Sequence, residues 1–254
     1  MIELTANCVF LLDIEGTTTS ISYVTDVLFP YALNNLESHL ESNWSSKQLL
    51  EDIDLLKQQS LIDVTNGLID KPLPDNIDDL QFKSQLVSYV KKLIDGDVKC
   101  TALKKLQGHI WKDGFESGLI RGHVYDDVPK ALERWANKFN CDIYIYSSGS
   151  IEAQKLHFGN TIHGNLLPQI KGHFDTTTGP KQDPKSYTKI VEAIKRNPGD
   201  VTFLTDIPQE AIAARSAGLT SIIVCRPGNK EIDSSTKEMF PTIKSFDEIE
   251  IKIK

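Results

Sequence analysis

Closely spaced cysteines are missing from this sequence. Its four cysteines, Cys8, Cys100, Cys141 and Cys225, stand too far apart to form a CxxC pair, which excludes the common thiolate metal and redox motifs. Cys8, Cys141 and Cys225 lie in or beside apolar, strand-like runs, where a free thiol behaves as a small hydrophobe. That usage fits a reducing compartment. An excess of positive charge is missing too. Twenty-eight Lys and Arg against 35 Asp and Glu leave a net charge of −7, which disfavours nonspecific binding to nucleic acid or to anionic membranes. An anionic ligand would therefore need local help from a metal, a lysine or backbone N–H groups. No apolar run approaches the ~20 residues that span a bilayer. No basic segment precedes the short apolar run near the start, so that run does not read as a signal peptide. The histidines, His39, His109, His123, His157, His163 and His173, show no HExxH or other paired ligand spacing, and read as structural or surface residues. Asn43-Trp44-Ser45 matches a glycosylation sequon, which carries no weight without a secretory route.

What is present is an ordinary globular composition over 254 residues, enough for one large domain or a domain with an insertion. Residues 8–12 are a continuous apolar run of the kind that forms a strand buried on both faces. The run stops at Asp13 and Glu15, followed by Gly16, Thr17, Thr18 and Thr19. Were the chain still extended there, period-two geometry would send both carboxylates to one side. Ligands of open α/β sheets sit outside the carboxyl ends of the strands, so this stretch is a candidate site. Strand signals then vanish for about a hundred residues. Apolar residues at helical spacing predict helices over 24–40, 46–61, 75–94 and 101–115, with Ser46 as a cap for the second and Gly96 and Gly108 as punctuation. Phe29, Trp44, Tyr89 and Trp111 read as the core of that segment. From there strands and helices alternate. Helices are expected over 126–140, 151–158, 184–196 and 208–217, and strands over 141–146, 201–204 and 220–225. Repeated strand–loop–helix units argue for a parallel sheet with right-handed crossovers. The expected class is α/β: a Rossmann-like parallel sheet core, residues 1–19 and 119–254, with an inserted all-helical domain, 20–118.

Three of these strands end in polar clusters: Asp13 and Glu15, Ser147 and Ser148, and Thr205 and Asp206. Between the last two lies Lys181, just before a helix start at Asp183-Pro184. Converging carboxylates suit a hard cation such as Mg²⁺, which keeps waters and bridges to phosphate. A lysine near it would help neutralise a phosphoryl group in transfer, and hydroxyls with helix N-terminal N–H groups would hold its oxygens. An aspartate can attack phosphorus, and a carboxylate two residues on can carry the proton. Each element also has a plainer reading. Ser147 and Ser148 would serve as helix caps, Asp206 as the N-cap of the helix that follows it, and Lys181 or its rival Lys185 as a solvated loop lysine.

The stretches LLDIEGTTT, YIYSSGS, GPKQDPKSY and FLTDIPQE, in this order, resemble the four motifs of the haloacid dehalogenase superfamily of aspartyl-phosphate phosphatases. The letters DIEGTT, IYSSGSIEAQKLHFG, GHFDT and FLTD, and more loosely GHVYDDV, are similar to the enolase-phosphatase family of methionine salvage within it. The resemblance implies that the helical insertion is a cap. It implies Asp13 as nucleophile, Glu15 as acid/base and counted with the metal ligands, a Mg²⁺ set of Asp13, Glu15 and Asp206, and substrate contacts at Ser147, Ser148 and Lys181. One Mg²⁺ per subunit is implied as cofactor. The implied reaction enolises 5-(methylthio)-2,3-dioxopentyl 1-phosphate and then dephosphorylates it to the acireductone. Two departures stand out. The superfamily's DxD has become DxE, which displaces the acid by roughly an ångström or more, a change the narrower family shares. The fourth motif has one Asp and then Glu210 instead of paired Asp, and Glu210 reads either as a residue supporting the site from behind its ligands or, the reading favoured here, as a charge at a helix N-terminus. The expected partner is a small phosphorylated substrate, with no nucleic acid and no membrane. A monomer is expected, in the cytoplasm, with nuclear residence left open. The rivals are a broader phosphatase of the same superfamily and a non-catalytic phospholigand-binding protein.

Overall fold

The computed structural model describes residues 1–96 and 98–253. The chain divides into two units, Met1–Val24 with Arg121–Lys254, and Thr25–Ile120. The first unit opens with β1 (Ile2–Thr5) and β2 (Val9–Leu12). The second carries α1 (Phe29–Asn43), α2 (Lys47–Thr65), α3 (Phe82–Asp95) and α4 (Thr101–Glu116). The first unit resumes with α5 (Asp127–Glu133), β3 (Asp142–Tyr146), α6 (Ile151–Gly159) and β4 (Gly172–Phe174). It continues through α7 (Pro184–Ile194), β5 (Val201–Thr205), α8 (Pro208–Ser216) and β6 (Thr220–Val224). It closes with α9 (Ser234–Met239), β7 (Thr242–Ile243) and β8 (Ile249–Lys252).

The four residues of β2 are buried without exception, and period two divides them between two cores. Phe10 and Leu12 join Ile143, Ile145, Leu204, Trp135 and Phe158 in one cluster. Val9 and Leu11 join Val201, Phe203, Tyr187 and Ile190 in another. Phe10 stacks on Trp135 with ring centroids 3.9 Å apart. A strand covered on both faces reads as a continuous apolar run, which is why this one is legible. The described sheet has the order β4-β3-β2-β5-β6-β7, and every pairing within it is parallel. Successive units leave β2 first on the β3 side and then on the β5 side. The carboxyl end of β2 is thus the switch point, where such sheets bind ligands. β1 and β8 form a separate parallel pair. Cys8 and Cys141 are free thiols whose sulfurs lie 3.3 Å apart within the first cluster.

In the helical unit Ser46 caps α2 by accepting from Leu49 N. Leu36, Leu40, Leu49, Ile53, Leu56, Leu86, Val90, Leu106 and Ile110 form its core, with Tyr89 buried among them and Phe29, Trp44 and Trp111 packed at its margin. Two details differ from the periodicity. The third helix begins at Phe82, not near residue 75, because Asn76 and Asp79 spend their side chains on the N–H groups of Asp78 and Gln81; these Asx turns compete with helix. Gly108 lies inside α4, where nothing stands within 4 Å of a Cβ position, so it breaks nothing. Two buried acids are satisfied locally: Asp52 by His109 Nδ1 at 2.5 Å, and Asp63 by Tyr89 OH at 2.5 Å and Gln59 Nε2 at 2.8 Å. Among the described residues no helix is long and apolar enough to cross a membrane.

Ser20 and Tyr23 stay with the α/β unit because Ser20 N donates to His123 Nδ1 and Tyr23 OH to Arg121 O. Beside them Thr19 Oγ donates to His123 O at 2.8 Å and lies 3.0 Å from His157 Nε2. Since that hydroxyl proton is used, His157 Nε2–H is the donor. Burial, and then the neighbouring His123, push the His157 imidazole down to about 4. The unfolded chain, with an ordinary histidine near 6.5, binds a proton there before the folded chain does. Stability is therefore held above pH 6.5 and lost as pH falls toward 4. The loss attributable to this residue is about 3 kcal/mol. Denaturant unfolding of wild type and His157→Gln across pH 4–7 should show the variant's stability falling less steeply by that amount.

Candidate active site

Leu12 pairs with Ile145 on one side and Leu204 on the other. Asp13 and Thr205, which follow Leu12 and Leu204, and Ser147, which follows Tyr146 at the end of β3, therefore share one edge of the sheet. Asp13 is 5% exposed. Its Oδ1 receives Ile14 N at 2.7 Å and lies 2.7 Å from Lys181 Nζ. Its Oδ2 receives the Thr205 hydroxyl at 3.1 Å. The carboxylate is thus held by one backbone N–H, one ammonium and one hydroxyl. β2 ends at Leu12, and Thr17, Thr18 and Thr19 all turn their N–H groups onto Ile14 O. Extended geometry therefore does not reach Glu15, and the two acids differ: Asp13 is buried and Glu15 exposed.

Lys181 is placed by its own carbonyl and the two before it. Tyr146 OH donates to Gly179 O, Ser186 Oγ to Pro180 O and Tyr187 OH to Lys181 O. Gly179 has φ +150°, and a Cβ there would meet Ser186 Oγ at 2.2 Å, so the loop demands glycine. Asp183 caps α7 through Lys185 N, with Pro184 in the first turn. Lys185 is exposed, while the Lys181 side chain is 10% exposed and bridges Asp13 and Glu210, 2.7 Å from each. Burial opposes the Lys181 charge, but Asp13 and Glu210 outweigh it and hold the ammonium above its usual range.

Of the two readings of Glu210, the structure favours the supporting role over a helix-terminal charge alone. Glu210 does lie in the first turn of α8, yet it is buried, bound to Lys181 and 3.0 Å from the Thr205 hydroxyl, whose single proton it shares with Asp13. Only a contact across 29 residues assigns that role, so local sequence could not. Asp206 is not spent on capping, since α8 starts after Ile207 with no side-chain cap. It is buried, and burial followed by the Asp13 charge pushes its carboxyl up to about 7. The same two causes raise Glu210 to about 7, against the pull of Lys181 and Thr205. Two buried carboxylates thus pair with one ammonium, and buried Asp206 lies close enough to feel the charges of Asp13, Lys181 and Glu210. Ser147 is buried and Ser148 exposed beyond β3. Neither caps α6, because Ser150 does so through Ala153 N, and Asp175 receives Ile151 N.

Comparison with known proteins places this arrangement. A family model described as hydrolase, haloacid dehalogenase-like hydrolase, matches residues 9–218. The chain belongs to the haloacid dehalogenase-like hydrolases. The enolase-phosphatase E1 of Drosophila willistoni is 45% identical over 244 residues, 96% of this chain and 96% of the fly protein. A protein of Oryza sativa subsp. indica, named probable bifunctional methylthioribulose-1-phosphate dehydratase/enolase-phosphatase E1, is 49% identical over 246 residues, 96% of this chain. The match covers 47% of that protein, so the chain spans about half the length of such plant relatives. The crystal structure of the UTR4 protein of Saccharomyces cerevisiae superposes with a TM-score of 0.74 at 31% identity, covering 95% of this chain and 99% of that one.

In this hydrolase the stretch after Asp13 is clamped by the loop that follows β6 at the same edge of the sheet. Arg226 Nε donates to Thr17 O at 3.0 Å, and its other nitrogens pair with both oxygens of Asp127 at 3.0 and 2.9 Å. Asn229 Nδ2 donates to Gly16 O at 2.8 Å. Gly16 has φ +70°, and a Cβ there would stand 2.4 Å from Asp206 Oδ2. Gly16→Ala should therefore cost stability through the left-handed backbone, on the order of 1 kcal/mol, and displace Asp206. Hydrolase activity should fall at least about tenfold, which steady-state assays with matched unfolding curves would show.

Do these residues suit a metal ion? Among the described residues no three His, Cys, Asp or Glu side chains are grouped to hold one, and Lys181 stands between Asp13 and Glu210. Mg²⁺, however, is commonly held by one or two carboxylates, with waters and substrate phosphate completing its shell. Buried Asp13 and Asp206, both oxygen donors in a pocket of excess negative charge, fit that pattern.

Proposed function

We propose that this chain is a Mg²⁺-dependent enolase-phosphatase of methionine salvage. Its substrate would be 5-(methylthio)-2,3-dioxopentyl 1-phosphate, enolised and then dephosphorylated to the acireductone. The observation that carries the reading is the difference in burial and partners between two acids two residues apart. Asp13 is buried and held by Lys181 and Thr205, and Glu15 is exposed. The near-full-length fly relative named enolase-phosphatase supports the substrate assignment.

Asp13 presents a charged oxygen to phosphorus. As its O–P bond forms, the bond from phosphorus to the C1 oxygen breaks, and Glu15 gives the departing oxygen a proton. Glu15 then takes a proton from water, whose oxygen attacks the phosphorus of the aspartyl-phosphate and frees Asp13 with release of phosphate. Lys181 neutralises phosphoryl charge, and Ser147 and Ser148 orient its oxygens. A Mg²⁺ held by Asp13 and Asp206, with Glu15 beside it, would supply Lewis-acid stabilisation of phosphoryl and enolate oxygens. In the enolisation Glu15 is the proton carrier. Glu15→Gln should therefore slow the enol's ultraviolet absorbance rise by about 10²-fold or more; an unchanged rise would remove Glu15 from that step. The wider assignment is tested by phosphate release with Mg²⁺ and with EDTA, from the dioxopentyl phosphate and from an aryl phosphate. The expected result is Mg²⁺-dependent release that strongly favours the dioxo substrate. Equal turnover of both would make the chain a broad phosphatase instead.

A further inference from the structure

The loop after β6, Arg226-Pro227-Gly228-Asn229, lies outside every motif considered above, yet two of its side chains reach the catalytic stretch. Arg226 holds Thr17 O. Asn229 holds more than Gly16. Its Nδ2 donates to Gly16 O at 2.8 Å and to Val224 O at 3.1 Å. Both N–H bonds are thereby used on carbonyls, which fixes the orientation of the amide. Its Oδ1 must then face the other way, and this oxygen is buried with no hydrogen-bond partner among the described residues.

Its surroundings indicate what it faces. The point where a Gly16 Cβ would stand is 3.0 Å from Asn229 Oδ1 and 2.4 Å from Asp206 Oδ2. Two oxygens therefore flank the bare Cα of Gly16. An amide oxygen and an ionised carboxylate are both acceptors, so when Asp206 is ionised, as it is while holding a cation, the two cannot satisfy each other without a donor between them. Lys181 is engaged with Asp13 and Glu210. A buried acceptor left without a donor is rare enough to need a reason. The donor that the reading above supplies beside Asp206 is a water molecule on the bound cation, since Mg²⁺ keeps several of its waters.

We propose that Asn229 is a positioning residue for the hydrated cation: its Oδ1 accepts a hydrogen bond from a water bound to a Mg²⁺ held by Asp13 and Asp206. The same side chain ties Gly16 O, so one amide couples the backbone beside Glu15 to the metal's outer shell. Outer-shell partners of this kind tune affinity as well as orientation. The inference rests on the Mg²⁺ reading of the site.

The test is Mg²⁺ titration by calorimetry of the substrate-free full chain, for wild type, Asn229→Ala and Asn229→Asp. Unfolding midpoints in EDTA establish that each variant is folded. Asn229→Ala removes both the acceptor and the clamp, and should weaken Mg²⁺ binding about 10- to 100-fold. Asn229→Asp keeps an acceptor oxygen in place but loses both N–H donors, and should bind Mg²⁺ at least as tightly as wild type. Equal weakening in both variants would mean that Asn229 only clamps Gly16, and unchanged affinity in Asn229→Ala would mean that its oxygen faces no metal-bound water; either overturns the proposal. Wild type that binds no Mg²⁺ at all would overturn the metal reading itself, and this inference with it.

Discussion

Asp13→Asn should release no measurable phosphate, a loss of at least on the order of 10³-fold, from a protein that remains folded. The substitution keeps the size of the side chain and an oxygen for Ile14 N. It removes the charge and leaves a neutral amide in place of the proposed nucleophile. A lost nucleophile is not offset by the rest of a site that acts as a unit. The fold should survive because the strand itself, Val9–Leu12, supplies the packing and Lys181 keeps Glu210 as a partner. One further effect follows. Asp206 is raised to about 7 by burial and, next, by the Asp13 charge, so Asp13→Asn should bring its titration back down. Phosphate release by a purified Asp13→Asn protein at more than a few per cent of the wild-type rate would rule out an aspartyl-phosphate route.

Lys181→Met should be the most destabilising change at this site. It leaves Asp13, Asp206 and Glu210 buried together with no ammonium. Removing one partner of a buried ion pair costs about 3–5 kcal/mol, and the site can lower that only by taking up protons. The pH dependence follows. Glu210 and Asp206 already lie near 7 in the folded chain, against ordinary values near 4 when unfolded. Between those values the folded state binds more protons, so their contribution is greatest below pH 4 and is lost as pH rises through 7. Without Lys181 both carboxyls rise further, and the variant's deficit should be larger at pH 8 than at pH 5. Denaturant unfolding at the two pH values checks this, and an equal deficit at both would mean that the lysine is held by packing alone. Phosphate release should fall about 10²- to 10³-fold, as when one preorganised electrostatic donor is removed.

How much of this was legible in the sequence depended on how far each residue's partners lie from it. β2 was plain because a strand buried on both faces needs no periodicity to be seen. Ser46 marked the start of α2 because an N-cap is a local device. β1 and β8 alternate inward and outward at Ile2, Leu4, Ile249 and Ile251, a period-two signal two apolar residues long in each strand and, unlike β2, without a continuous apolar run to mark it. β4, β7 and α9 are shorter than a periodicity can resolve. Asp13 was legible as the acid that ends a buried strand. Glu210 was not, because its burial depends on a lysine from another loop. Arg226 and Asp127 lie 99 residues apart, and neither marks the other in the chain. Gly16 stood in the sequence as an ordinary turn glycine, and only the position of Asp206 against its Cα explains why a side chain is excluded there.

The central claim, that one site first enolises and then dephosphorylates, is tested most directly in a single cuvette. Wild-type protein with Mg²⁺ and the dioxopentyl phosphate is followed by ultraviolet absorbance of the enol while phosphate is measured on withdrawn samples. The expected course is an absorbance rise that precedes phosphate release, with both lost on adding EDTA. Phosphate appearing with no preceding enol signal would contradict the account, leaving a phosphatase on this fold without the enolase half.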